Sequence, residues 1–206
     1  MRRNTAIKHL RTLAESCGTA NRPSDEPVLV EVYAFGDVLD PEIGELDWVR
    51  AALVLDMPAD EVTWLALPTV HIWLTHHLRL DKVPVGAVRR PAVWPVWNHT
   101  IRRPLRIWSL EGGTDDPALA ALAAGDVESL RLPDPSPEEE AEQLAEELHA
   151  SLAHLRRIQE SFHDREWRKA HKGFGTYQED HLWHAVEGYL DLLGANRAQD
   201  DGKEKL

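Results

Sequence analysis

The stretch "VLVEVYAFGDVLDPEIGELDWVRAALVLDMP", residues 28–58, decides the fold. It opens and closes on runs rich in Val, Leu and Tyr, 28–37 and 47–58, which are short and bounded by turn residues. Such runs read as β-strands rather than helices. The second is almost wholly apolar, so it is expected to be buried on both faces of a sheet and to end at Pro58. Between them, "DVLDPEIGEL" reads as loop or a short helical turn.

Toward the N-terminus, residues 3–17 place Ile7, Leu10, Leu13, Ala14 and Cys17 at steps of three and four, followed by Gly18. That spacing predicts an amphipathic helix with a glycine stop, and residues 19–27 predict a loop. Toward the C-terminus, residues 59–80 are broken by Pro68 and read as two short elements, with "TVHIWL" open between helix and strand. "KVPVGAV" (82–88) and "PLRIWSL" (104–110) are expected strands. "DDPALAALAAGD" (115–126) is a short helix with Asp116 as expected cap, Pro117 in its first turn and Gly125 as its stop.

"LPDPSP" (132–137) is the clearest linker. After it Ser136 caps, Pro137 opens and Glu138–Glu140 load the first turn, where negative charge meets the positive end of the helix dipole. Ala141, Leu144, Leu148, Ser151, Leu155, Ile158 and Phe162 continue the stripe, and the helix is expected to reach Lys172. A second helix is expected from Thr176, with Glu179 completing a capping box, to Gly194, with a disordered tail from about residue 196. The fold class is therefore α+β: an N-terminal helix, a mixed or antiparallel sheet of about four to five strands with short helices, and a C-terminal helical hairpin packed on it. Residues 1–132 form the sheet region and 133–206 a helical extension that shares its core.

The chain has 206 residues and a formal net charge of −12. General nucleic-acid binding is therefore unfavourable. No run of eighteen apolar residues occurs, so no membrane span is expected. The single cysteine, Cys17, excludes an internal disulfide and fits a reducing cytoplasm.

The charge is uneven. No Asp or Glu occurs between Lys82 and Leu110, and this window contains "AVWPVWNHTIRRPLRIWS" (92–109). Trp94, Trp97, Asn98, His99, Arg102, Arg103 and Arg106 can stack on, orient and grip a planar anion. His99 can also serve as an acid or base. Prolines at 91, 95 and 104 would hold such a loop still. The competing reading makes the tryptophans core anchors and pairs the arginines with the protein's own acidic helices. The histidines form a further group: His76 and His77 are adjacent, while Asp180, His181 and His184 share a helix face with His163 and His171 upstream. Three of them could hold zinc, or simply pack the hairpin. Tyr33, Ser109 and Cys17 lack a recognisable base motif beside them.

Gly36-Asp37, at the end of the first strand, and Glu45-Leu46-Asp47, ahead of the second, resemble the nucleotidyltransferase pattern. In that family two alternate carboxylates hold magnesium ions that bridge nucleotide phosphates. The resemblance implies Glu45 and Asp47 as metal ligands and Gly36 as the point of phosphate approach. Asp56, Asp81 or Glu111 would be the third carboxylate, and Asp37 stands where the pattern has a small hydroxyl residue. "LDMPADEVTW" (55–64) and the Trp/Arg stretch also look similar to an uncharacterised family from high-GC bacteria. Whether the chain is an enzyme stays open. The expected function is a binding or regulatory module for a small anionic or nucleotide-like ligand or a protein partner. The alternatives are a magnesium-dependent nucleotidyltransferase-like enzyme, with Glu45, Asp47 and His99 as catalytic candidates, and a structural protein that self-associates as a homodimer.

Overall fold

A computed structural model describes residues 1–20, 28–173 and 175–203. The N-terminal helix passes through Gly18, the expected stop, and takes residues 19 and 20 of the expected loop, because glycine ends a helix only where the backbone turns left-handed; the rest of the loop at 19–27 lies outside these residues. Two strands do form from the opening stretch. β1 (Leu29–Phe35) and β2 (Val49–Leu55) run antiparallel, with Tyr33 opposite Ala52 and Phe35 opposite Arg50. β3 (Val85–Pro91) lies parallel to β2, β4 (Leu105–Ser109) antiparallel to β1, and the two-residue β5 (Gly113–Thr114) antiparallel to β4. The sheet is mixed, in the order β3-β2-β1-β4-β5.

Strand residues alternate between faces, and each face of this sheet has its own cover. Val32, Ala34, Ala51 and Leu53 face a layer made by α1 (Arg3–Ala20), whose Leu10, Leu13, Ala14 and Cys17 are fully buried, with α2 (His71–His77) and α3 (Asp116–Ala124) beside it. Tyr33, Phe35, Ala52 and Val54 face the other way, toward Trp64, Val96, Ile101, Leu144 and Leu192. Leu144 lies on α4 (Pro137–Ser161) and Leu192 on α6 (Gln178–Lys203), so the helical hairpin closes the second face.

Several boundaries differ from the sequence reading. "TVHIWL" contributes to α2, a helix in which Trp73 packs on His77 one turn later and the Thr75 hydroxyl donates to the His71 carbonyl. The Asp115 side chain, rather than Asp116, caps α3, accepting from the Ala118 N–H. α4 stops at Ser161 instead of Lys172, because the Asp164 carboxylate caps a separate short helix, α5 (Arg165–Ala170). α6 begins at Gln178, not Thr176, and the Asp180 carboxylate accepts from the Tyr177 N–H. It passes through Gly194 to Lys203, so no break falls at 194 or 196. Ser136 caps α4 as expected, and Glu139 closes a capping box with it, whereas the box expected at Thr176 and Glu179 is displaced by the start of α6 at Gln178.

Candidate functional site

The acid-free stretch links β3 to β4, and its cationic anchor is Arg90, the penultimate residue of β3. Arg90 is fully buried, and Glu147 of α4 is fully buried against it. Arg90 Nη1 donates to Glu147 Oε2 at 2.7 Å and Nη2 to Oε1 at 2.5 Å. Nη2 also donates to the Pro95 carbonyl (2.9 Å) and the Trp97 carbonyl (3.3 Å), while Gln143 Nε2 donates to Glu147 at 3.0 Å. The guanidinium lies 5.7 Å from the Trp94 ring centroid. A buried ion pair of this kind is tolerable only because further hydrogen bonds support it, although Arg90 Nε has no partner among the described residues. It bolts the loop and the sheet to the hairpin.

The rest of the loop is held in the same manner. Trp94 is buried and its Nε1 donates to Glu146 at 2.9 Å. Trp97 is half-buried. Asn98 is buried, and its Oδ1 accepts from the Thr100 and Ile101 N–H groups at 2.9 Å each, which closes a local turn. His99 Nε2 lies 2.9 Å from Asp191 Oδ2, which also accepts from Trp64 Nε1 at 2.7 Å, and the two rings meet edge to face at 5.4 Å. Arg102 pairs with Glu140, Arg103 with Glu128, and Arg106 with Glu31 at 3.2 Å. The three arginines diverge to three separate carboxylates on three parts of the fold. Their order along the chain does not bring them to one pocket.

Arg102 alone faces a groove of about 440 Å³ that also holds Gly36, Asp37, Asp40, Thr100 and Arg131. Gly36 turns the chain out of β1 with φ +76°, a conformation other residues enter only with strain. Glu45 and Asp47 are exposed and are not walls of this groove. Both precede β2, which starts at Val49, so the alternation that would aim them to one face of a strand does not act on them. Among the described residues no group of three His, Cys, Asp or Glu side chains is placed to hold a metal ion.

The histidines gather elsewhere, between α4, α5, α6 and the segment leading into α2. His154 Nδ1 donates to the Asp60 carbonyl (3.0 Å), His171 Nδ1 to the Trp167 carbonyl (2.8 Å), and the ring of His181 is hydrogen-bonded to the Leu67 backbone. The His171 and His181 rings meet edge to face at 4.9 Å, and His171 stacks on Trp167 at 4.2 Å. His163 packs against Phe162, and His184 lies 3.4 Å from Glu187. The sequence spacing grouped His181 with His184, whereas the ring contact of His181 is with His171. It missed His71 and His154, whose proximity depends on distant elements.

Burial pushes His71 and His181 down from 6.5 to about 4, helped by Arg89 at His71 and by His171 at His181, and it lowers His154 as well. The unfolded chain then takes up these protons before the folded one does. Stability carried by the neutral rings is complete above about pH 6.5 and falls as pH drops from there toward about 4. Urea midpoints measured from pH 7 to pH 5, above the carboxylate range, should decline, and His181→Gln should flatten that decline.

Comparison with known proteins places the chain by one match. The family model described as Domain of unknown function (DUF7711) matches residues 1–198. No curated protein and no solved structure matches the chain.

Proposed function

The chain belongs to that family, and we propose that it is a binding or regulatory module for an anionic, nucleotide-like ligand seated in the groove between the Gly36 turn and Arg102. The observation that carries this reading is a convergence. Gly36-Asp37 and the pair Thr100 and Arg102 come from stretches singled out for different reasons, yet they line one concavity with Arg131. Binding sites are typically concave, with a few polar groups that fix orientation. The Arg102–Glu140 pair is partly exposed, and exposed pairs contribute only about 0–1 kcal/mol. Arg102 can therefore exchange its carboxylate partner for a phosphate at little cost. Asp37, Asp40 and Glu128, the last paired with Arg131, share the groove, which favours a phosphate carried with magnesium over a bare one. On this reading Trp94, Trp97, Asn98, His99, Arg103 and Arg106 position the loop, and the module works in the cytoplasm.

A thermal-shift screen with nucleotides and phosphosugars, with and without magnesium, tests the reading, because a ligand that binds only the folded state raises the melting temperature. The expected result is a shift that Arg102→Ala abolishes and Asp47→Ala retains. A shift that requires both magnesium and Asp47 would overturn it in favour of the nucleotidyltransferase-like enzyme. No shift with any compound would also overturn it.

A further inference from the structure

The histidine cluster meets a cation at His71. Arg89, on β3, is half-buried as a residue, and desolvation of its head group draws its pKa down to about 10, so it stays charged at neutral pH. Among the described residues it pairs with no carboxylate. Its Nη2 donates to His71 Nδ1 at 2.8 Å, and its Nε is buried with no partner. A buried charge that lacks an opposite charge is costly. Arg90, the next residue along the strand, shows the usual solution in its carboxylate from α4.

The Arg89 bond also fixes His71. Because Nδ1 accepts, the proton of the neutral ring sits on Nε2. His71 lines a small cavity of about 120 Å³ together with Thr69, His171, Thr176 and His181, and Arg89 reaches it only through the His71 ring. Its residues supply one imidazole N–H, two hydroxyls and two further rings that become donors once protonated. Among the described residues no carboxylate lines it. The volume suits a tetrahedral oxyanion or a short carboxylate and excludes a nucleotide.

We infer that this cavity is a second binding site, distinct from the Gly36 groove, for a small oxyanion that supplies the counter-charge to Arg89 and takes up a proton on the histidines as it binds. His171 and His181 each commit one ring nitrogen to the backbone, to Trp167 and Leu67. His181, which burial holds neutral, must gain a proton on its other nitrogen before it can donate to an anion. By linkage, affinity rises as pH falls. Among the described residues, the charged and titratable groups around these rings are Arg89 from β3, His154 and Arg157 from α4, Asp180 and His184 from α6, and Asp60 and Glu61 on the segment before α2. Asp180, Asp60 and Glu61 oppose the anion; the Asp180 carboxylate is engaged by the Tyr177 N–H and that of Asp60 by Arg157.

Sulfate is the probe, since its charge is constant over the range used and any pH dependence then belongs to the protein. Calorimetric titration of the full chain is carried out at pH 7.5 and pH 6.0, at equal ionic strength and in two buffers of different ionisation enthalpy. The account expects saturable binding that tightens severalfold at pH 6.0, with proton uptake shown by the buffer dependence. Arg89→Met should abolish it, His181→Gln should weaken it and remove most of the proton uptake, and Arg102→Ala should leave it intact. Absence of saturable binding at both pH values would overturn the inference, as would an affinity indifferent to pH. Binding that survives both Arg89→Met and His181→Gln would show an adventitious ion only. If Arg89→Met does not fold, the His181→Gln and buffer results decide alone.

Discussion

Glu147→Ala is expected to destabilise the protein by about 3–5 kcal/mol, the usual cost of removing one partner from a buried ion pair. The substitution leaves the Arg90 guanidinium sealed in the interior with only the Pro95 and Trp97 carbonyls as acceptors. Small and medium domains are stable by about 5–15 kcal/mol in total, so the loss should be plain in urea unfolding as a lower midpoint at unchanged slope. The double variant Arg90→Met with Glu147→Leu separates the cost of an orphaned charge from the worth of the pair. It should recover most of the loss, because apolar residues of similar volume can replace a buried pair without penalty. A double variant no more stable than Glu147→Ala would mean that the pair holds the hairpin in a way packing cannot replace.

Gly188→Ala is expected to destabilise by at least about 1–3 kcal/mol, the range for forced overpacking of a core. Gly188 lies on the buried side of α6, and a Cβ added there would collide with the backbone carbonyl of Trp64, which cannot swing aside like a side chain. Gly194, less than two turns later on the same helix, has nothing within 4 Å of an added Cβ. There the same substitution should stabilise by up to about 1 kcal/mol, since alanine is the better helix former. Thermal unfolding of the two variants should therefore move in opposite directions. Movement in the same direction would contradict the close seating of α6 on the Trp64 segment.

Features governed by neighbours in the chain were legible in the sequence. The α1 stripe, the Ser136 cap and the two strands of residues 28–58 each rest on contacts a few residues apart or on a simple period. The seam of α4 was less legible. Its apolar period hid that Gln143 and Glu147 are buried as polar partners for Arg90, 57 positions away from Glu147. Gly194 read as a stop, although a glycine ends a helix only where the backbone turns left-handed, and α6 has no such turn there. The Trp/Arg stretch was correctly singled out as unusual. Composition cannot show whether an arginine meets its own protein's carboxylate or a ligand, because that depends on where α4 and Glu128 come to rest. For the same reason the meeting of Gly36 with Arg102, and of His71 with His181, had no signal in the spacing of residues.

The central claim is that the groove between the Gly36 turn and Arg102 receives the ligand. It is tested most directly by ¹H–¹⁵N NMR titration of the full chain with the nucleotide that gives the largest thermal shift, in the presence of magnesium. The account predicts saturable shifts in the backbone amides of Gly36, Asp37, Thr100, Arg102 and Arg131, which line that groove, with little change around His71 and His181. Shifts centred on Glu45 and Asp47 instead, with the groove amides unmoved, would contradict it.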